Sequence, residues 1–416
     1  MSYISAYKKI QKTTVQVVGL GYIGLPTAAL LSNRGYDVRG VDIDARRVAA
    51  ISSNTLTIFE PDLESFLSSA IQSGRLQVST SVSPADIHMI CVPTPFFFEG
   101  EERFPDLSSI HAAVKALASV VKAGDMIILE STSPVGTTEK LYTWFKEEGV
   151  AVNDLFFAYC PERVLPSKIM MELLENDRVI GGLNQLSTEK VKAFYETFVK
   201  GQLLATTART AELSKLIENS FRDVNIAFAN EVSMLAEDLQ VNASEVIALA
   251  NHHPRVNILK PGVGVGGHCI AVDPWFIIQA NKENASLMLA ARHVNNKKTD
   301  WVIGQVLKAR QNFVALNAKE PRVVALGLTF KPDVDDIRES PAALICLALH
   351  RENVDLCVVE PHISDHSTLE IVPWSLELEA DIFVCLVQHK FFLSEFKLPE
   401  QDVICLDYCG LLPQIS

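Results

Sequence analysis

Gly262, Gly264, Gly266 and Gly267 lead to a single cysteine, Cys269, and then to Asp273, in the run GVGVGGHCIAVDP. Four glycines in six residues exclude a helix or a stable strand interior. They permit positive φ and let a ligand come close to the backbone. A thiol on such a loop is within reach of a small substrate, and as a thiolate it can bond covalently to a carbonyl carbon. The run is equally compatible with a tight turn ending in a buried thiol, since free cysteine is among the most buried residue types. The rest of the chain has to decide between these readings.

The elements that would position this thiol lie on both sides of it. Residues 210–239 contain no proline and no glycine, which predicts one helix of about 30 residues, or about 45 Å. Leu213, Leu216, Ile217, Val224, Phe228 and Leu235 supply apolar faces. Lys215, Asn219 and Arg222 fall at i, i+4 and i+7 and share a face. A solvated polar stripe is the ordinary reading of such a face. Just ahead of the cysteine loop, a long helix joining two domains would turn it toward a cleft. A polar knot, His252-His253-Pro254-Arg255-Val256-Asn257, follows, and either histidine could equally be a capped or surface residue.

Closer to the N-terminus, residues 13–19 form a β-branched run followed by Gly19-Leu20-Gly21-Tyr22-Ile23-Gly24. A helix-forming stretch runs to about residue 34, and a second strand, 36–41, ends in Asp42. This is strand, glycine turn, helix, strand and acid, the full context of a dinucleotide-binding turn. Gly19 allows the tight turn, Gly21 lets a pyrophosphate touch the backbone, and Gly24 lets the helix pack on the strand. The helix N-terminus favours the phosphates. Asp42 stands eighteen residues after Gly24, placed for a ribose 2′-hydroxyl, and its charge would repel a 2′-phosphate. NAD is therefore expected over NADP, with Arg46 and Arg47 weakening the preference slightly.

Strands and helices go on alternating. Strands are expected at 87–92, 126–129 and 156–160, with helices at 107–121 and 137–148. The strand ends carry Thr94, Thr132 and the Glu162-Arg163-Val164 run. Open α/β sheets bind ligands at strand C-termini, so Thr94 and Thr132 are candidate cofactor contacts, although either could be a helix cap or turn hydroxyl. A helical stretch follows Arg292, with a polar break at 317–321. A second sheet is expected from strands at 322–326, 355–359, 381–387 and 402–406, with a helix at 341–350. Its first strand leads into Gly327-Leu328-Thr329-Phe330-Lys331-Pro332 and then Asp335 to Ser340.

A chain of 416 residues is long for one domain, and a 48% hydrophobic fraction describes an ordinary globular protein. A net charge of −13 argues against general nucleic-acid or anionic-membrane binding. The eight cysteines show no CxxC pair and no Cys/His spacing for zinc, so no metal is expected. Several lie in apolar strand-like runs and read as reduced core residues. The first residues lack a signal-peptide pattern, and no apolar run reaches membrane-span length. A soluble cytoplasmic protein is expected.

Taken together, GLGYIGLP, ESTSPVG, CPERVLP, the Lys215-to-Arg222 helix, GVGGHCIAVDPW and FKPDVDDIRESP resemble the UDP-sugar 6-dehydrogenase family, the UDP-glucose/GDP-mannose dehydrogenase superfamily. The likeness runs in order over nearly the whole chain. NSFRDVNIAFANE, HPRVNIL and Ala271 are most similar to its branch acting on UDP-N-acetyl-D-mannosamine. The implied fold is α/β, two Rossmann-like doubly wound sheet domains joined by a long central helix. The implied domains are an NAD-binding domain over 1–208, a central helical and dimerisation region with the cysteine loop over 209–300, and a UDP-sugar-binding domain over 301–416.

The resemblance implies oxidation of a primary alcohol to a carboxylate with two NAD in succession, supplying an acidic sugar for surface polysaccharide; the alternatives are the same chemistry on UDP-N-acetylglucosamine or UDP-glucose, or a nucleotide-binding sensor without turnover. Cys269 would carry a thiohemiacetal and then a thioester. Lys215, Asn219, Asp273 and Glu162 would be the other catalytic residues, with a base, or a water held by Lys215 and Asp273, taking the hydroxyl proton and Glu162 assisting the hydrolytic water. Gly19, Gly21, Tyr22, Ile23, Gly24, Asp42, Arg47, Thr94, Thr132 and Arg338 would bind cofactor. Arg163, Val164, Lys215, Asn219, Arg222, His253, Arg255, Gly266, Phe330 and Lys331 would line the UDP-sugar site. A homodimer is implied as well.

Overall fold

The computed structural model describes residues 13–412, apart from 56, 57, 59, 100, 101, 166, 376, 377 and 398–402. The reading of the first twelve residues, the Pro166 that ends CPERVLP and the first residue of the strand expected at 402 lie outside the described residues. The chain forms two compact units, Met1–Ile217 and Glu218–Ser416.

The first unit begins with β1 (Thr14–Val18), α1 (Gly24–Asn33), β2 (Asp37–Val41), α2 (Ala45–Ser52), α3 (Leu63–Gln72), β3 (Leu76–Ser79) and β4 (Ile87–Ile90). A hairpin, β5 (Phe96–Glu99) and β6 (Glu102–Pro105), comes next, then α4 (Ser108–Leu117), β7 (Met126–Leu129), α5 (Thr137–Glu147) and β8 (Phe156–Tyr159). It closes with α6 (Ile169–Glu175), β9 (Arg178–Gly182), α7 (Gln185–Tyr195) and β10 (Leu203–Thr207). The eight-stranded sheet has the order β10-β9-β8-β7-β4-β1-β2-β3. From β1 the chain winds to one side through β2 and β3 and returns to β4 on the other. The switch point, where such sheets bind ligands, therefore lies beyond the C-terminal ends of β1 and β4. β1 pairs in parallel with both neighbours, Thr14 opposite Asp37 and Val15 opposite Ile87. β9 runs antiparallel to β8, with Ala158 opposite Gly182.

The centre of this sheet is buried on both faces, so its strands read as apolar runs rather than alternating ones. Val15 and Val17 enter one core cluster with Leu25, Ala28 and Leu31 of α1. Val18 and Ile90 enter the other, with Ile110, Leu141 and Phe145. The structure extends the expected parallel plan by β3, by the β5–β6 hairpin and by β9 and β10.

One helix, α8 (Ala208–Asp238), runs from the first unit into the second, within two residues of its expected span at either end. The second unit continues with α9 (Ala243–Asn251), α10 (Asp273–Ala280), α11 (Ser286–Asn317), β11 (Arg322–Leu326), α12 (Pro341–Arg351), β12 (Asp355–Val359), β13 (Ile382–Cys385), α13 (Lys390–Glu395) and β14 (Ile404–Asp407). Its four strands are all parallel in the order β12-β11-β13-β14, which puts a second switch point between β11 and β13.

α11 starts at Ser286, ahead of the residue 292 boundary read from sequence, and at 32 residues it matches the 31 of α8. Its buried face carries Arg292, Asn295, Lys298 and Thr299, all under 9% exposed. A buried face built from such residues leaves no apolar periodicity to read. No described helix is long and apolar enough to cross a membrane.

Candidate active site

Beyond β1, Gly19 adopts φ +93°, and a Cβ on it would stand 2.6 Å from the Cys91 carbonyl oxygen. A Cβ on Gly24 would fall 1.8 Å from the Gly19 carbonyl oxygen, so these two positions accept only glycine. Gly21 is different, since nothing lies within 4 Å of its Cβ position. That open side is the cradle a pyrophosphate needs. Tyr22 is exposed, and Ile23 supplies no side-chain cap to α1, leaving the helix N-terminus to an anion.

The Asp42 carboxylate is buried, and it ties this turn to its surroundings. Oδ2 accepts from the Leu20 amide (2.9 Å) and the Arg47 guanidinium (2.8 Å), and Oδ1 accepts from the Asp44 amide (2.9 Å). Thr94 Oγ1 donates to the Thr132 carbonyl (2.6 Å), joining the loops that follow β4 and β7. Ile43 is 96% exposed beside Asp42, an apolar side chain that the sequence reading passed over. These residues fit a dinucleotide of the NAD type.

Glu162 is buried beyond β8. Its Oε1 accepts from the Arg163 amide (2.6 Å), and its Oε2 lies 2.8 Å from Arg178 Nη1. Arg163 also donates to the Asp177 carbonyl (3.4 Å), and half-buried Val164 packs against the core. Lys215 is half-buried on α8, one turn ahead of Asn219.

In the second unit the glycine–cysteine loop is clamped from two sides. On one side, Asn230 Oδ1 accepts the Gly262 amide (2.8 Å), and Thr299 Oγ1 donates to the Val263 carbonyl (2.9 Å). Asn230 in turn donates to Asn295 Oδ1 (2.9 Å), while Asn295 and Arg292 both donate to Asp223 Oδ1 (2.8 and 2.6 Å). This ladder between α8 and α11 is fully buried. Sequence reasoning missed it because its members lie 65 to 72 positions apart and carry no local pattern.

On the other side, a Cβ on Gly266 would meet the Glu339 carbonyl oxygen at 2.4 Å and Phe330 Cβ at 3.0 Å. Gly267 adopts φ +80° against the Phe330 ring, and its amide donates to the Arg338 carbonyl (3.3 Å). The two motifs singled out in the sequence therefore pack on each other. The Arg338 guanidinium forks onto Asp336 (2.9 and 2.7 Å) and reaches His268 Nδ1 at 3.4 Å. Burial and then the neighbouring Arg338 push the His268 imidazole below its usual range. Lys331 Nζ sits 5.5 Å from the centre of the Phe330 ring.

Cys269 is the exposed one of the eight cysteines. Burial before all else pushes the Cys91, Cys160 and Cys346 thiols up, the latter two to about 12, which makes them inert at neutral pH. The Cys269 carbonyl accepts the amides of Val272 and Asp273 (3.0 and 2.8 Å), so the thiol stands on the turn that starts α10. Asp273, the first residue of α10, is buried, and its Oδ2 accepts from Asn219 Nδ2 (2.6 Å). The alternative of a buried turn cysteine does not hold, since Cys269 is exposed.

Arg222, His253 and Arg255 are all exposed. The last two lie on the stretch after α9, where the Arg255 amide donates to His253 Nδ1 (3.3 Å). Asp333, His362 and His389 bring possible metal-ligand atoms within 4.8 Å of one another. His389 Nδ1, however, accepts the Asp333 amide (3.0 Å) while Nε2 faces Glu360 (3.2 Å), and the Lys390 ammonium lies 3.3 Å from Asp333. That group is committed to fixing the loop that carries Lys331.

Three family models match the chain in order. They are the NAD binding domain of the UDP-glucose/GDP-mannose dehydrogenase family over residues 13–199, its central domain over 209–297 and its UDP binding domain over 324–411. The chain belongs to the UDP-glucose/GDP-mannose dehydrogenase family. It is an NAD-dependent UDP-sugar dehydrogenase. It is 46% identical over 405 residues to an NDP-N-acetyl-D-galactosaminuronic acid dehydrogenase of Ralstonia solanacearum, covering 92% of each chain. It is 45% identical over 415 residues to the UDP-N-acetyl-D-mannosamine dehydrogenase of Escherichia coli, covering 95% of this chain and 97% of that one. Among solved structures it is similar to the UDP-N-acetyl-mannosamine dehydrogenase of Staphylococcus aureus, with TM-score 0.85, 37% identity and coverage of 96% and 99%.

Proposed function

We propose that the enzyme oxidises the sixth carbon of UDP-N-acetyl-D-mannosamine from alcohol to carboxylate, as a cytoplasmic homodimer, and so supplies an acidic sugar for surface polysaccharide. The observation that carries this reading is Cys269. It is exposed on a glycine loop clamped against the Phe330–Arg338 segment, with the Asn219–Asp273 pair behind it. Relatives named for UDP-N-acetyl-D-mannosamine, 44 to 46% identical to this chain, support the choice of sugar.

NAD, held by Gly19, Gly21, Gly24 and Asp42 with Tyr22, Ile23, Arg47, Thr94, Thr132 and Arg338, supplies the hydride acceptor in both oxidations. Arg163, Val164, Arg222, His253, Arg255, Gly266, Phe330 and Lys331 line the UDP-sugar site in this reading. A base, or a water held by Lys215 and Asp273, takes the hydroxyl proton as the first hydride leaves. The Cys269 thiolate attacks the aldehyde carbon, and Lys215 and Asn219 stabilise the oxyanion of the resulting thiohemiacetal. Loss of a second hydride leaves a thioester. Water directed by Glu162 adds to its carbonyl, the C–S bond breaks, and the thiolate returns. One alcohol, one water and two NAD give one carboxylate, two NADH and three protons.

The dimer rests on α8. Leu213, Ile217, Phe221, Phe228 and Leu235 are between 40% and 68% exposed. At about 100° per residue they fall within about 80° of one another, a single apolar stripe. Such a stripe is what a second copy would cover.

A panel of UDP-sugars with NADH stoichiometry tests the proposal. Two NADH per sugar and the highest kcat/KM for the N-acetylmannosamine form are expected. No NADH from any UDP-sugar would overturn it. The Ralstonia relatives favour a second reading, the same chemistry on the N-acetylgalactosamine form. A higher kcat/KM for that epimer would replace the first reading with the second.

A further inference from the structure

Arg178 opens β9 in the first unit and is 2% exposed. Its Nη1 lies 2.8 Å from Glu162 Oε2 and 3.9 Å from Glu130 Oε1, and its Nη2 donates to the Leu173 carbonyl at 3.4 Å. The guanidinium carbon stands 5.5 Å from the centre of the Tyr195 ring. Glu130, at the end of β7, is buried and anchored by two donors, Tyr195 Oη to Oε1 (2.6 Å) and Cys91 Sγ to Oε2 (3.3 Å). One buried cation thus serves two buried carboxylates. Burial before all else raises the Glu130 carboxyl above its usual range, with Arg178 opposing.

Such a cluster is a poor source of stability. Desolvating each ion costs several kcal/mol, and a well-packed apolar replacement is often as stable or more so. What the cluster does provide is a single orientation for Glu162. Glu162 Oε1 is taken by the Arg163 amide. Among the described residues, Oε2 has no aligned hydrogen-bond donor despite the close guanidinium, and Nη1 and Nε of Arg178 have no aligned acceptor. Both oxygens of Glu162 are thus held, Oε1 by the Arg163 amide and Oε2 beside the guanidinium. The cluster also reaches the cofactor turn. The Cys91 carbonyl oxygen lies 2.6 Å from where a Gly19 Cβ would stand, and Cys91 Cβ lies 3.3 Å from the Gly24 Cβ position.

We propose that Arg178 is a positioning residue for thioester hydrolysis. It holds the Glu162 carboxylate in one orientation, while Glu130, fixed by Tyr195 and Cys91, holds the guanidinium in place. This rests on the reading that Glu162 directs that water. In the proposed reaction neither hydride transfer to NAD nor attack by Cys269 uses a proton held by this cluster. Disturbing it should let both oxidations proceed and slow the release of the acid.

The test is rapid quench and intact-mass measurement of the enzyme turning over its best UDP-sugar with NAD, using Glu162→Gln, Arg178→Lys and Tyr195→Phe. Arg178→Lys keeps the charge but loses the planar fork. It should slow steady-state turnover by at least about tenfold, a barrier change of about 1.4 kcal/mol. The rapid burst of NADH should be retained and KM for the UDP-sugar nearly unchanged, with an acyl adduct accumulating on Cys269. Tyr195→Phe frees Glu130 Oε1 to compete for the guanidinium and should show the same adduct to a smaller extent. It also serves as the deciding variant if Arg178→Lys does not fold. Adduct in Glu162→Gln but in neither of the other two would overturn the role of Arg178. No adduct in Glu162→Gln would overturn the role of Glu162 itself.

Discussion

Adding one methyl group at Gly266 should disable the enzyme while leaving it folded. A Cβ there would lie 2.4 Å from the Glu339 carbonyl oxygen and 2.7 Å from Pro341 Cδ. Neither atom is the free end of a flexible side chain. Both sit where α12 begins, and Ser340 fixes that start by accepting the Ala343 amide (3.2 Å) and donating to the Leu328 carbonyl (2.8 Å). Recovering an ordinary 3.4 Å contact from 2.4 Å moves the glycine loop by about 1 Å. Cys269 follows three residues later, so the displacement passes to the sulphur. A misplacement of about 1 Å costs on the order of 100-fold in rate. The overpacking itself should cost about 1–3 kcal/mol of stability, or a fall in Tm of roughly 2–12 °C. The assay is steady-state NADH formation together with a thermal melt and the rate of Cys269 alkylation. Gly304→Ala is the control. Gly304 lies inside α11 with nothing within 4 Å of its Cβ position, so alanine there should stabilise by about 0.5–1 kcal/mol and leave kcat alone. A Gly266→Ala enzyme with kcat within about threefold of wild type would refute the claim that this packing sets the position of the thiol.

Three further outcomes follow from the geometry. Asp42→Ala removes the charged partner proposed for a ribose hydroxyl, so KM for NAD should rise by about 10- to 100-fold, the equivalent of about 1.5–3 kcal/mol; comparing KM for NAD and NADP checks it, and an unchanged ratio of the two speaks against the role of the acid. Arg292→Ala strands the buried Asp223 carboxylate and should cost about 3–5 kcal/mol in urea unfolding, whereas Asp223→Leu combined with Arg292→Met should recover much of that; a single change costing under about 1 kcal/mol would contradict the buried ladder. Lys298 is 2% exposed, and burial, opposed by Glu237, lowers its ammonium from 10.5 to about 8. Between about 8 and 10.5 the unfolded chain then binds more protons than the folded one, so this group raises stability as pH climbs through that window and adds nothing further below it. The difference corresponds to roughly 3 kcal/mol, and Lys298→Met should abolish the rise; melts of both proteins across the window decide it, and equal slopes count against the burial effect.

The sequence was most legible where the chain determines its own backbone. β7 and β12 appear where the apolar runs placed them. The Gly19–Gly24 turn and Asp42 are legible because steric demands at three glycines and one acid are local. α8 is legible because a stretch without proline or glycine has little else to form. Strand β3, the β5–β6 hairpin and strands β9 and β10 were not legible, since a short strand is stabilised by the neighbour it pairs with rather than by its own residues. The early start of α11 was hidden for a related reason. Its inner face bears Arg292, Asn295 and Lys298, whose partners Asp223, Asn230 and Ser233 come from α8.

The amino-acid order alone therefore determined the cofactor turn, the alternation of strands and helices, and the candidate nucleophile with the motifs around it. These depend on φ, on side-chain period and on residues a few positions apart. Only the tertiary structure decided which carboxylates are held by which cations, that the cysteine loop is clamped between the α8–α11 ladder and the Phe330–Arg338 segment, and that one thiol of eight stands exposed. Burial and pairing between residues far apart in the chain depend on how the elements come together, and no local pattern encodes them.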